Sequence, residues 1–159
     1  MTMIVYRAPS AAAAAAPRPE DHTKRIAKLL AIATAMKKEA RVRRHLFDYP
    51  YYTRGGTIRT PKVRSIADLH ILAHECGHAA FRHTRRTPTW LAEFEAELWA
   101  LAAFRRHDLV VSKTRIKKAK TNVRKELSCA WDFRPEQTAI KAAKWCGLGR
   151  SCITNLHND

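Results

Sequence analysis

Leu72-Ala73-His74-Glu75-Cys76-Gly77-His78-Ala79 is the stretch on which the reading of this chain turns. It contains H-E-x-x-H, and its flanks have the pattern of a helix. Ser65-Ile66-Ala67-Asp68 has the form of a capping box, in which Ser65 and Asp68 satisfy backbone amides that a helix start leaves unpaired. Ile66, Leu69, Leu72, Ala73, Cys76 and Ala80 then recur at helical spacing, and no proline interrupts Ile66 to Thr84. Side chains four apart on a helix lie one above the other. His74 and His78 are therefore placed to reach one metal ion, with Glu75 turned towards a water on it. Such a water, acidified by zinc to a pKa of about 7, loses its proton to the carboxylate as it attacks a carbonyl. Gly77 costs roughly 1 kcal/mol relative to alanine inside a helix, and its place between the histidines admits a close-lying backbone.

A catalytic zinc takes three protein ligands and keeps one position open. Phe81 and Thr84 exclude H-E-x-x-H-x-x-G-x-x-H, since they stand where its glycine and third histidine would be. The next candidate is Glu93-Phe94-Glu95-Ala96-Glu97. Thr87-Pro88 reads as an N-cap followed by proline at the first helical position, opening a second helix. Glu93, Ala96, Glu97 and Ala100 share one face of it. Glu93 is the candidate third ligand, and Glu97, one turn on, the candidate acceptor for a ligand histidine's second nitrogen. Glu95 lies about 200° round the helix from Glu93 and is expected to face solvent. Only 14 acidic residues stand against 30 basic ones, and Glu75, Glu93, Glu95 and Glu97 are four of them.

From Gly55 to Phe104 the chain resembles the ImmA/IrrE-type metallopeptidases, a zincin group common in phages and mobile elements. The matching pieces are Leu72 to Ala79 and Glu93-Phe94-Glu95-Ala96-Glu97-Leu98-Trp99-Ala100. Cys76 replaces the usual larger aliphatic residue, and Glu97 stands where Asn or Asp is commoner. The resemblance implies His74, His78 and Glu93 as zinc ligands and Glu75 as general base. Zincins bind extended substrate along an edge strand ahead of the metal helix. Gly55-Gly56-Thr57-Ile58-Arg59-Thr60-Pro61 reads as a turn, a short strand and a stop. Thr57, Ile58 and Arg59 are thus candidate substrate-binding residues, with a plain structural ribbon as the equal alternative. For the residue that stabilises the oxyanion, Tyr51, Tyr52, Arg82, His83 and His107 remain unranked.

With 159 residues the chain suits one compact domain. No apolar run approaches the roughly 18 residues of a membrane span. Residues 1–20, Ala/Pro-rich, read as a flexible tail whose order of charge and apolar residues is wrong for a signal peptide. Residues 21–111 read as the zincin-like domain, with Ile26, Leu29, Leu30 and Ala33 as the stripe of its first helix. Residues 112–159 read as a basic helical extension. Cys76, Cys129, Cys146 and Cys152 form no C-x-x-C pair, which points to a reducing cytoplasm, the host's if the protein is phage-encoded.

The formal net charge of +16 predicts attraction to nucleic acid. Lys113 to Lys125 is rich in basic residues, and Ile116, Ala119, Val123 and Leu127 give it a narrow apolar stripe. Pro135 to Leu156 carries a helix-turn-helix-like pattern with Gly147 at the turn. Lys117, Lys120, Arg124 and Arg150 are the candidate nucleic-acid contacts. The expected fold is therefore α+β: a helix-rich zincin-like domain with a short antiparallel sheet and a basic C-terminal extension. The expected function is zinc-dependent hydrolysis of a peptide bond in a protein or peptide substrate. The alternative is a nucleic-acid-binding regulator whose zinc site is structural or vestigial.

Overall fold

The computed structural model describes residues 19–47, 51–53, 57–128 and 137–148. Within them the chain runs α1 (Pro19–Glu39), β1 (Arg44–Phe47), β2 (Tyr51–Thr53), β3 (Thr57–Thr60), α2 (Ile66–Phe81), α3 (Thr89–Arg106), α4 (Lys113–Ser128) and α5 (Gln137–Trp145). The helix-rich α+β class is as expected. The sheet differs from expectation, because it is mixed. Its order is β1-β3-β2, with β3 parallel to β1 and antiparallel to β2. β3 is therefore the central strand, hydrogen-bonded on both sides. It has no free edge on which a peptide could add a strand, so the edge-strand role expected of Thr57, Ile58 and Arg59 does not hold. Ile58 is instead fully buried in the core.

α1 buries Leu29, Ala33 and Met36, and Ala40 just past its end continues the stripe, at spacings of four, three and four. Leu30, expected on this stripe, is exposed. With Ile58, Val63, Leu69, Leu72, Ala73, Cys76, Ala100 and Phe104 these side chains form the first core. Full burial of a leucine such as Leu69 or Leu72 contributes about 1.5–3 kcal/mol. A second core joins Trp90 and Phe94 of α3 to Val123 and Leu127 of α4, Ala139 and Ala142 of α5, and Cys146 just beyond it. The basic extension is thus packed on α3, the helix common to both cores.

Two helix starts follow different rules. At α2 the Ser65 hydroxyl accepts from the Asp68 amide at 3.1 Å, and the Asp68 carboxylate accepts from the Ser65 hydroxyl and the Arg64 amide. Caps of this kind contribute about 0.5–2 kcal/mol. At α3 the N-cap is Pro88, without a side-chain cap. Thr87, expected to cap, accepts from the Thr84 amide instead and closes the connecting loop.

α2 and α3 pack closely because Gly77 faces the backbone of Ala96. A Cβ at Gly77 would lie 2.7 Å from the Ala96 Cα and 2.8 Å from its carbonyl oxygen. The close approach expected of this glycine is observed, and it brings the glutamates of α3 against the histidines of α2.

Candidate metal centre

α2 presents His70, His74 and His78 at four-residue spacing, and α3 presents Glu93 and Glu97 to them. His74 Nε2 lies 3.1 Å from His78 Nε2 and 3.3 Å from Glu93 Oε2, while His78 Nε2 lies 3.5 Å from Glu93 Oε1. Ligand atoms about 2.0–2.1 Å from one tetrahedral ion lie about 3.3–3.4 Å from each other. The observed separations, in which the two imidazoles meet different oxygens of the one Glu93 carboxylate, lie close to that value, so His74, His78 and Glu93 form a group that could hold a metal ion.

The electrostatics agree with the geometry. Burial opposes protonation of His74, yet the Glu93 and Glu97 carboxylates beside it outweigh it and raise the imidazole to about 10. Burial likewise works against the Glu93 carboxylate, and His74 and His78 overcome it to hold the group well below its ordinary value. A cation is therefore favoured at this point, as a proton or as a metal. Glu75, buried beside the site, is pushed up to about 7 by desolvation, with His74 opposing. His74 Nδ1, Glu75 Oε2, Glu97 Oε2 and His70 Nε2 are all buried without a hydrogen-bond partner among the described residues. His74 Nδ1 and His70 Nε2 face the Glu97 carboxylate at 3.1 and 3.5 Å, which leaves Glu75 Oε2, beside the cavity, as the atom that a water would complete.

Glu97 stands where the sequence placed it. Its Oε1 is 3.1 Å from His74 Nδ1, although off the ideal N–H direction. Its other oxygen faces His70 Nε2 at 3.5 Å. Arg115, reaching in from α4, donates through Nε to His70 Nδ1 at 3.2 Å and through its terminal nitrogen to the Ala67 carbonyl at 2.9 Å. His70 is lowered to about 4 by burial, with Glu97 opposing and Arg115 and His74 assisting. Neutral His70 accepts from Arg115 at Nδ1 and carries its proton on Nε2, facing Glu97.

Glu95 departs from expectation. Its Oε2 accepts from His83 Nε2 at 2.9 Å, and His83 Nδ1 lies 2.8 Å from His78 Nδ1. Helical side chains tilt towards the N terminus of their helix. From the shoulder of α3, Glu95 therefore reaches back to the connecting loop that holds His83. Of the unranked oxyanion candidates, His83 is thus engaged with His78 and Glu95. His107 contacts Glu39 at 3.1 Å. His70, Glu95 and Arg115 have no site role in the sequence reading, and His83 stands there as an oxyanion candidate and not as a partner of His78. The four-residue spacing of His70, His74 and His78 is the sequence signal that could have found His70.

A cavity of about 280 Å³ opens over the site, lined by His70, His74, Glu75, Glu93 and Glu97 on one side and by Arg115, Lys118 and Asn122 of α4 on the other. Of the candidate nucleic-acid residues, Lys117 is exposed, Lys120 lies over the Trp145 ring at 5.6 Å, and Arg124 donates to the Cys146 carbonyl. The last two thus serve the packing of α5 on α4. Gly147, at φ 75°, ends α5, while Arg150 and the second half of the helix-turn-helix-like pattern lie outside the described residues. Residues 1–18 lie outside them too, and α1 begins at Pro19, within the expected tail. Among the described residues no helix is long and apolar enough to cross a membrane. The chain matches no family model, no curated protein and no solved structure.

Proposed function

We propose that the chain is a zinc-dependent endopeptidase of the zincin kind, with His74, His78 and Glu93 as ligands and Glu75 as general base. The observation that carries this reading is the convergence of His74 Nε2, His78 Nε2 and the Glu93 carboxylate, at 3.1–3.5 Å from one another, beside an open cavity. A structural zinc site closes with four protein ligands, whereas three ligands under a cavity match a catalytic one. Bound zinc supplies Lewis acidity and lowers the pKa of the water it holds. Glu75 accepts a proton from that water as the oxygen attacks the substrate carbonyl, and returns it to the departing amine nitrogen. Burial suits Glu75 to this exchange near neutral pH. Glu97 and His83 hold the outward nitrogens of His74 and His78, which leaves both Nε2 atoms for the metal. Lys118 and Asn122, on the opposite wall, face the space through which a substrate chain passes. The likeness to ImmA/IrrE-type metallopeptidases supports the same reading, and with it a phage or mobile-element origin and a cytoplasmic site of action.

Elemental analysis of the purified protein should find one zinc per chain, lost in His74→Ala and in His78→Ala. Glu75→Gln should retain zinc and fold while hydrolysis of an unfolded protein substrate falls by at least ~10². Metal content indifferent to both histidines, or undiminished hydrolysis in Glu75→Gln, would overturn the assignment.

A further inference from the structure

His78 differs from His74 in what stands behind it. His74 is backed by a carboxylate, the common arrangement for a metal-binding imidazole. His78 is backed by a second imidazole, that of His83, which in turn meets Glu95. Proton counting fixes the roles. A metal on His78 Nε2 takes that lone pair, so neutral His78 carries its hydrogen on Nδ1. Only one hydrogen fits between two nitrogens 2.8 Å apart. His78 therefore donates and His83 Nδ1 accepts. Neutral His83 then carries its own hydrogen on Nε2, and Glu95 accepts it. A single pair of tautomers satisfies all three groups.

The backbone is built to present His83 in this place. Arg82 adopts the left-handed conformation at φ 55°, and the His83 amide donates to the His78 carbonyl at 3.1 Å. This reversal returns the ring of residue 83 to the ring of residue 78. Phe81, half exposed, stacks on His83 at 5.7 Å between centroids and 10° between planes, and so limits rotation of the imidazole.

We infer that His83 and Glu95 are positioning residues, which hold the His78 ring in the tautomer and orientation that leave its Nε2 free for a metal ion. The inference rests on the metal reading above. It ties the α2–α3 loop to the metal, since His83 lies in that loop and Glu95 on the helix that follows.

The test uses full-length protein loaded with zinc or cobalt. Metal affinity is measured by chelator competition, the cobalt site by its visible spectrum, and the His78 tautomer by nitrogen-15 correlation spectra. His83→Phe keeps a ring but removes the acceptor, and should weaken affinity about 10- to 100-fold, as loss of a metal ligand's hydrogen-bond partner does. It should also shift the cobalt bands. His83→Asn places a carbonyl oxygen near the Nδ1 position and should recover most of the affinity. Glu95→Ala should cost less than His83→Phe while still broadening the His78 tautomer signals, and it decides the matter if His83→Phe fails to fold. Wild-type protein that binds zinc, with His83→Phe and Glu95→Ala binding it as tightly and with the same cobalt spectrum, would overturn the inference alone. Equal loss in His83→Asn and His83→Phe would also overturn it. Wild-type protein that binds no zinc would overturn the metal reading and this inference together.

Discussion

Replacing Gly77 by alanine tests the link between helix packing and the metal centre. The new Cβ would stand 2.7 Å from the Ala96 Cα and 2.8 Å from its carbonyl oxygen, and both are backbone atoms that cannot swing aside. Restoring an ordinary contact of about 3.5 Å requires α2 and α3 to separate by roughly 0.8 Å. Glu93 now lies 3.3 and 3.5 Å from the two histidine nitrogens. The same displacement would take these separations to about 4.2 Å, beyond the ~3.4 Å edge of a tetrahedral site. Overpacking costs about 1–3 kcal/mol, against which alanine returns roughly 1 kcal/mol of helix propensity. The net loss of stability is therefore modest, at about 0–2 kcal/mol, whereas the loss of zinc affinity should exceed tenfold. Urea unfolding of the metal-free protein and chelator competition measure the two effects separately. Unchanged or tighter zinc binding in Gly77→Ala would show that the glycine does not set the spacing of the ligands.

Glu93→Ala should remove most of the zinc, whereas Glu97→Ala should weaken affinity only ~10- to 100-fold; titration of zinc into the apo variants distinguishes them. His70 is held at about 4, below its ordinary 6.5, so it binds fewer protons folded than unfolded between those values. The stability it preserves is present above pH 6.5 and is lost as pH falls towards 4. At about pH 4.5 this loss is roughly 2–3 kcal/mol. His70→Gln keeps an acceptor for Arg115 and a donor for Glu97, and should reduce the acid sensitivity of the metal-free protein in urea titrations by a comparable amount. Equal acid sensitivity in the two proteins would contradict the assignment of His70 as a buried neutral group. Arg82 occupies a left-handed conformation that glycine adopts without strain, so Arg82→Gly should leave the melting temperature unchanged or raise it.

Much of the centre was legible because helix periodicity is local. His74 and His78, and likewise Glu93 and Glu97, are four residues apart, and four residues make one turn of either helix. Gly77 announced the close approach of a second backbone by its position between two ligand candidates. What escaped the sequence depends on directions that periodicity does not encode. Glu95 was expected in solvent because only the helix–helix face was considered, whereas its partner sits in the loop beyond a left-handed Arg82. Arg115 lies 45 residues from His70 in a helix whose docking direction no local pattern fixes. The sequence of Thr57–Thr60 marks a strand, but strand order is a matter of pairing between segments, and β1 and β2 flank β3 on both sides.

Glu93-Phe94-Glu95-Ala96-Glu97 gives each of five consecutive residues its own set of neighbours, with His74 alone common to two of them. Glu93 meets His74 and His78, Phe94 packs with Trp145, Glu95 meets His83, Ala96 lies on Gly77, and Glu97 faces His74 and His70. Inserting or deleting one residue upstream within α3 would rotate this segment by about 100° and exchange every one of these neighbours at once. A point substitution there loses one residue's contacts, but a shift in length loses those of all five. Natural variation in length is therefore expected to gather outside α3, leaving the count from Thr89 to Glu97 fixed.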